Sequence, residues 1–202
     1  MANKNIGLFF GTFNPIHIGH LILGNFMAQL PEIDQVWFVV TPKNPFKAKD
    51  SLLADIHRLA LVNEAVDSNP LLESSNIEFG LSQPNYTVNT LAVLTEKYPD
   101  KKFTLIMGED NLRGFHKWKN YQVILDNHEI LVYPRVYTEN EKPVVSEKIE
   151  ELLAHPKVSL IDAPLMKISS STIREMLAKG KNVQYILPSK VYKYLSEMNF
   201  YK

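Results

Sequence analysis

Short runs of apolar residues alternate along the chain with longer segments in which apolar residues recur every three or four positions. The short runs predict buried strands, and the longer segments predict amphipathic helices. The predicted strands are residues 6–10, 36–40, 76–79, 103–107, 129–133 and 158–161. The predicted helices are residues 18–30, 55–66, 87–98, 118–125, 171–177 and 189–198.

This alternation of strands and helices is typical of repeated β-α-β units, whose crossovers are nearly always right-handed. It predicts an α/β fold with a doubly wound, mainly parallel sheet and helices on both faces, although it does not determine the order of the strands. The polar segment 137–151 is predicted to be an excursion on the surface. We expect residues 1–202 to form a single domain whose C-terminal part, from about residue 165, is helical.

Composition narrows the range of functions. The 202 residues are 45% hydrophobic and carry 22 basic and 22 acidic side chains, so the balanced charge disfavours nucleic acid and anionic membrane as partners. The chain has no cysteine, which excludes disulfides, thiolate nucleophiles and cysteine-held metals. The first apolar run is too short for a signal peptide, and no run approaches the length of a membrane span. We therefore expect a cytoplasmic protein.

Residues 11–20 read Gly-Thr-Phe-Asn-Pro-Ile-His-Ile-Gly-His and connect the first predicted strand to the first predicted helix. Ligands of open α/β sheets bind at the carboxyl ends of strands, and a helix N-terminus offers N–H groups to phosphate. Gly11 is expected to let a ligand approach the backbone, and Gly19 to leave room for one. His17 and His20 would then project from one helical turn and donate hydrogen bonds to phosphate.

Two plainer interpretations of the histidines remain open. A pair spaced in this way can bind a metal ion, although no cysteine or neighbouring carboxylate completes a zinc site. The two side chains could also be solvated surface histidines. Neither the dinucleotide-binding Gly-x-Gly-x-x-Gly pattern nor the Gly-Lys-Ser/Thr of a Walker A loop is present in this segment.

A second motif, Ile-Ser-Ser-Ser-Thr-Ile-Arg, occupies residues 168–174. Serines just before Ile173 are typical of a helix N-cap, so one interpretation is a capped helix on the surface. The other is a second phosphate-binding site, in which the hydroxyl groups, the first amides of the helix and the Arg174 guanidinium act together.

Taken together, the two motifs resemble those of the nucleotidylyltransferase superfamily, and more narrowly those of the bacterial nicotinate mononucleotide adenylyltransferases. The resemblance extends from residue 7 to residue 188. Further segments that are similar to this family occur in the same order: residues 41–47, 84–87, 108–112 with Trp118, 133–135 and 185–188.

This resemblance implies a Rossmann-like fold and a magnesium-dependent step of NAD biosynthesis. The phosphate of nicotinate mononucleotide attacks the α-phosphorus of ATP, pyrophosphate leaves, and deamido-NAD is formed. Because the attacking phosphate is already an oxyanion, catalysis reduces to positioning and charge stabilisation. The resemblance implies Mg²⁺ held mainly by phosphates and water, with no ligand from protein side chains. ATP and nicotinate mononucleotide are the implied small-molecule partners, and an oligomer is compatible with the sequence.

The resemblance also implies residue roles. His17, His20 and Arg174 would be catalytic, acting on the phosphates of ATP. The residues implied for ATP binding are Gly11, Thr12, Phe13, Gly19, Gly108, Asp110, Ile168, Ser169 and Ser170. The residues implied for mononucleotide binding are Lys43, Asn44, Lys47, Tyr86, Thr87, Trp118 and Arg135. The residues themselves leave alternatives to these binding roles. Trp118 could be a core residue, and Lys43 and Lys47 could lie in a solvated loop.

The chain departs from the family pattern at a few positions. Phe10 stands where the family often has glycine, Asn14 where it often has aspartate, Asn85 for serine and Ser171 for threonine. The change at Asn14 concerns how the first turn is braced. Two other functions remain as alternatives: an adenylyltransferase that prefers nicotinamide mononucleotide or another phosphate acceptor, and a non-catalytic nucleotide-binding module on the same fold.

Overall fold

A computed structural model describes residues 4–42, 52–134 and 147–201. In this part of the chain, six parallel strands form one sheet. They are β1 (Lys4–Gly11), β2 (Gln35–Val40), β3 (Leu72–Ser75), β4 (Lys101–Gly108), β5 (Ile130–Tyr133) and β6 (Val158–Leu160). Their order across the sheet is β3-β2-β1-β4-β5-β6.

The described residues also form eight α-helices and two short 3₁₀ helices. The α-helices are α1 (Ile18–Met27), α2 (Asp55–Val66), α3 (Thr87–Lys97), α4 (Glu109–Gly114), α5 (Tyr121–Asn127), α6 (Glu147–Leu153), α7 (Ser170–Ala178) and α8 (Ser189–Glu197). The 3₁₀ helices are Ile77–Gly80 and Phe115–Lys117.

The sheet separates two apolar cores, because successive side chains of a strand point to opposite faces. On one face, Phe9 of β1 belongs to a cluster with Met27 of α1. On the other face, Leu8 of β1 belongs to a cluster with Leu94 of α3. The prediction of a doubly wound α/β sheet covered on both faces is thus confirmed.

The order of the strands indicates where a ligand is expected to bind. From β1 the chain builds the sheet outward to β3 on one side, and then crosses back to add β4, β5 and β6 on the other. This is the order of Rossmann-like folds, in which ligands bind where the direction of winding changes. That point lies between the carboxyl ends of β1 and β4, at Gly11 and Gly108.

The predicted strand at residues 76–79 is wrong. The strand comes earlier, as β3, where residues 72–75 pair with residues 36–39 of β2. As an edge strand with one neighbour, its Leu-Glu-Ser-Ser sequence needs little apolar character, so it gave no strand signal. The alternating residues that follow form the 3₁₀ helix, in which Glu78 is buried.

The helix predicted at residues 118–125 begins three residues late, at Tyr121. Trp118 has extended backbone angles at the end of the 3₁₀ helix, and Asn120 is left-handed with φ 51°. The short helices α4 and α6 were not predicted. Helix α6 overlaps the segment predicted to be a surface excursion, whose residues 137–146 lie outside the described residues.

Candidate active site

The turn between β1 and α1 is held in an unusual backbone shape. Phe13, which is buried, has a left-handed φ of 44°. A Cβ added at Gly11 would lie 2.8 Å from the Phe13 ring. Gly11 lines a cleft, and a side chain at this position would collide with the Phe13 ring. That a ligand approaches the backbone at Gly11 stays a prediction.

His17 and His20 lie face to face on the first turn of α1. Their ring centroids are 3.7 Å apart with an interplanar angle of 22°. The backbone N–H of His17 donates to Nδ1 of His20 at 3.2 Å. Because Nδ1 of His20 accepts, the neutral ring carries its proton on Nε2, which is therefore a donor.

Gly19 makes room for the His17 ring. A Cβ at Gly19 would lie 3.1 Å from Nδ1 of His17, closer than such contacts normally allow. His17 is 4% exposed, and its Nδ1 has no hydrogen-bond partner among the described residues. Burial lowers the pKa of His17 to about 4, so its imidazole is neutral at pH 7.

His17 should make the protein sensitive to acid. Below pH 6.5 the unfolded chain takes up a proton at His17, whereas the folded protein takes it up only near pH 4. The free energy of unfolding therefore falls as the pH falls through this window, by about 2 kcal/mol at pH 4.5. Urea unfolding of the wild type and of His17→Asn at pH 7.5 and 4.5 measures this. Equal losses in both proteins would contradict it.

Helix α7 is tied to the turn after β1. Ser170 Oγ donates to the Pro15 carbonyl at 2.9 Å, and Arg174 Nη1 donates to the Asn14 carbonyl at 2.8 Å. Ser169 is the N-cap, since its Oγ accepts from the backbone N–H of Thr172 at 3.1 Å. The second motif is therefore a capped helix, which was one of its two interpretations, and it lies directly against the first motif. The other interpretation, a phosphate-binding site, stays a prediction.

The two motifs enclose a cleft of about 510 Å³ at the carboxyl end of β1. It is lined by most of the residues predicted for catalysis and ATP binding: Gly11, Thr12, Phe13, His17, Gly19, His20, Asp110, Ile168, Ser169, Ser170 and Arg174. Gly108 is the exception, because it is buried behind the ring of Tyr133, which would lie 3.0 Å from an added Cβ. Tyr133 itself lines the cleft, and burial together with the Asp110 charge raises its pKa to about 12.

A second cleft, of about 420 Å³, adjoins the first. It is lined by Tyr86, Thr87 and Trp118, three of the residues predicted for mononucleotide binding. Trp118 is half-buried, with its ring against the edge of Phe115, so it is not a core residue. The clefts share Phe10, Gly11, Thr12, Asp110 and Asn111. Lys43, Asn44, Lys47 and Arg135 lie outside the described residues.

The wall of the second cleft contains a buried acid that sequence reasoning missed. Glu78 is 2% exposed, and Thr90 Oγ1 donates to its Oε1 at 2.8 Å. Asn85 Nδ2 donates to the Glu78 carbonyl at 2.9 Å. Burial raises the pKa of Glu78, although hydrogen bonds from Thr90, Thr41 and Asn85 oppose the shift. No sequence signal marked this residue, since it lies between two apolar residues in a segment with a strand pattern.

Within the described part of the chain, no group of three or more histidines and carboxylates is placed to hold a metal ion. None of the helices there combines the length and apolar character needed to cross a membrane.

Comparisons with known proteins show the family and the fold of this chain. The model of the cytidylyltransferase-like family matches residues 8–176. A probable nicotinate-nucleotide adenylyltransferase of Flavobacterium psychrophilum is 56% identical over 98% of this chain and 98% of its own. One of Bacteroides thetaiotaomicron is 42% identical over 98% of this chain and 95% of its own. A solved structure, Plasmodium falciparum nicotinic acid mononucleotide adenylyltransferase complexed with NaAD, has a TM-score of 0.76 at 22% identity, covering 98% of this chain and 97% of that chain. At 22% identity, this structural match is evidence for the fold alone.

Proposed function

The chain belongs to the cytidylyltransferase-like family and, within it, to the nicotinate-nucleotide adenylyltransferases, and on that premise we propose how it acts. It transfers the adenylyl group of ATP to nicotinate mononucleotide. A phosphate oxygen of the mononucleotide bonds to the α-phosphorus of ATP, the bond from that phosphorus to the β-phosphate oxygen breaks, and pyrophosphate leaves. Deamido-NAD is the other product, which makes the reaction a step of NAD biosynthesis.

The observation that carries this proposal is the pair of clefts with a shared wall. Transfer between two nucleotides needs two neighbouring sites whose phosphate ends meet. The larger cleft offers imidazoles, hydroxyl groups and a guanidinium, which suit the triphosphate of ATP. The smaller cleft offers Trp118 and the start of α3, which suit an aromatic ring that carries an anionic substituent.

In the larger cleft, we propose that three side chains stabilise the negative charge that develops on the phosphates during transfer. His17 and His20 donate to phosphate oxygens of ATP, His20 through Nε2. Arg174 already donates to Asn14 and to Ser171 Oγ, and its planar group has further N–H donors for the departing β- and γ-phosphates. Ser169 and Ser170 contribute to the same phosphate site at the start of α7.

The remaining residues of the larger cleft shape the space for the nucleotide. Asp110 accepts a hydrogen bond from a ribose hydroxyl in this proposal. Those proposed to form the walls are Gly11, Thr12, Phe13, Gly19 and Ile168. Gly108 acts indirectly, because the absence of a side chain there leaves room for the Tyr133 ring, which lines the cleft.

Mg²⁺ fits the donor set of the clefts as a partner of ATP. The described residues provide no cluster of ligands, and Asp110 is the carboxylate that lines both clefts. An ion held mainly by phosphate oxygens and water suits such a site. When bound, it would neutralise phosphate charge, and Asp110, as the carboxylate common to both clefts, would hold it through water.

In the smaller cleft, Trp118 stacks on the pyridine ring and the backbone N–H groups of Tyr86 and Thr87 meet its carboxylate. Helix α3 begins at Thr87, and the first amides of a helix have no partner within it. Lys119 lies 4.6 Å from the centre of the Tyr86 ring and adds positive charge beside this cleft. We also propose that Lys43, Asn44, Lys47 and Arg135 bind the mononucleotide, a role that the resemblance implies and that the described residues do not test.

The test of the proposal is pyrophosphate release from ATP and Mg²⁺ in the presence of nicotinate mononucleotide, with a parallel reaction lacking the mononucleotide. Release that requires the mononucleotide, with deamido-NAD identified by chromatography, supports adenylyl transfer. A protein that binds ATP but releases no pyrophosphate with any mononucleotide would be a nucleotide-binding module.

Arg174→Lys is expected to lower kcat/KM for ATP about tenfold. Lysine keeps the charge, but it lacks the planar group that can hold the Asn14 carbonyl and a phosphate together. Steady-state kinetics with varied ATP measure the change. Wild-type kinetics in the lysine variant would show that the forked geometry of Arg174 is not used.

A further inference from the structure

Asn14 lines the larger cleft and contacts three distant segments of the chain. It is 5% exposed. Its Oδ1 accepts a hydrogen bond from the Tyr201 hydroxyl and another from the backbone N–H of Leu53 at 3.1 Å. Its carbonyl accepts from Arg174 Nη1 at 2.8 Å. The residue that braces the first turn is therefore fixed by the last turn of the chain and in turn fixes Arg174.

Tyr201 is held in place by the fold of the C-terminal segment. After α8, the N–H of Phe200 donates to the Leu195 carbonyl at 3.1 Å, and Asn199 and Tyr201 both have left-handed φ angles. The Phe200 ring packs against His57 of α2 with centroids 4.8 Å apart. These contacts anchor the segment on α2 and direct the Tyr201 side chain under the β1–α1 turn.

The Tyr201 hydroxyl is suited to act as a permanent donor. Burial raises its pKa above the ordinary value, and the nearby charges of Arg174 and Arg58 do not cancel the shift. The phenol therefore stays protonated over the working pH range. Since Asn14 is uncharged, its Oδ1 accepts both hydrogen bonds without placing a negative charge beside the site proposed for triphosphate.

Arg58 holds neighbouring parts of the same structure from the other side. It is fully buried and donates to the carbonyls of Thr12 at 2.6 Å and Leu53 at 3.0 Å. Leu53 is thereby fixed through both its carbonyl and its N–H. The Tyr201–Asn14 hydrogen bond therefore adds to the contacts that hold these segments together. Of the residues in these contacts, Asn14 is the one whose carbonyl accepts from Arg174.

We infer that Tyr201 is a positioning residue for adenylyl transfer, acting through Asn14 on the Arg174 guanidinium. This inference rests on the proposed function. It gives the last turn of the chain a role in the handling of ATP, although Tyr201 itself does not line either cleft among the described residues.

The test uses Tyr201→Phe, which removes only the hydroxyl group. The matched control is Tyr185→Phe, because the Tyr185 side chain is 86% exposed and its loss of a hydroxyl should change nothing. Tyr201→Phe is expected to lower kcat/KM for ATP about fivefold, with KM for nicotinate mononucleotide within twofold of wild type. An unchanged kcat/KM for ATP would overturn the inference, as would equal losses for both substrates.

A double variant separates positioning from general weakening of the fold. If Tyr201 acts through Arg174, Tyr201→Phe combined with Arg174→Lys should be no slower than Arg174→Lys alone. Multiplied losses would overturn the inference. Calorimetry with a non-hydrolysable ATP analogue keeps the two proposals distinct. Weaker binding by Tyr201→Phe supports the Tyr201–Arg174 link even if no mononucleotide is adenylylated, and equal binding by both proteins refutes it.

Discussion

His20→Ala is expected to fold like the wild type and to transfer the adenylyl group at least about a hundredfold more slowly. His20 is partly buried on the wall of the larger cleft, with Nδ1 occupied by the His17 N–H and Nε2 as the donor. Loss of one preorganised donor to developing phosphate charge costs about 3 kcal/mol of barrier. The measurement is kcat for pyrophosphate release at saturating ATP and nicotinate mononucleotide.

His155→Ala provides the matched control for this variant. His155 lies just before β6, where its Nδ1 accepts from the Lys157 N–H, and it lines neither cleft. Its removal should leave kcat near the wild-type value. Thermal unfolding of both variants checks that the fold is retained. Near-normal turnover in a well-folded His20→Ala would refute the role assigned to the histidine pair.

Nicotinate mononucleotide is expected to be used at least about a hundredfold better than nicotinamide mononucleotide. The amides at the start of α3 favour a carboxylate through charge and hydrogen bonding, whereas the NH₂ of an amide faces them donor to donor. Each buried group left unpaired costs about 1–3 kcal/mol, so two mismatches give this factor in kcat/KM.

The decisive measurement is kcat/KM for both mononucleotides at saturating ATP and Mg²⁺. Trp118→Ala serves as the control, because stacking acts on both rings alike and its loss should weaken both substrates with little change in their ratio. Equal values in the wild type, or a preference for the amide, would overturn the nicotinate specificity and leave adenylyl transfer intact.

The strands and helices that carry long apolar patterns were predictable from the sequence, whereas a common role for the two motifs was implied only by the resemblance to the family. Helix α2 was predicted at its observed limits from its apolar spacing alone. Strand β3 was missed because pairing with β2, and not its own composition, makes it a strand. That residues 1–202 form a single domain stays a prediction.

Contacts between distant residues were beyond the reach of the sequence pattern. Nothing near Asn14 indicates that its partner is Tyr201, 187 positions away. The glycines are a second example. The sequence pattern indicated that other groups lie close to Gly11 and Gly19, but it did not identify those groups. In the structure these are the rings of Phe13 and His17.

The two clefts share five wall residues, at the end of β1 and the start of α4, but the rest of their linings comes from different segments. In the proposed function, the cleft for the ATP donor depends on the β1–α1 turn and α7, whereas the cleft for the acceptor depends on the start of α3 and the segment around Trp118. On this proposal, substitutions confined to the acceptor cleft are expected to change which phosphate is adenylylated and to leave ATP binding unchanged. This division makes the scaffold a natural starting point for engineering: a library confined to residues 85–87 and 117–119 would explore new acceptors while the nucleotide donor stays constant.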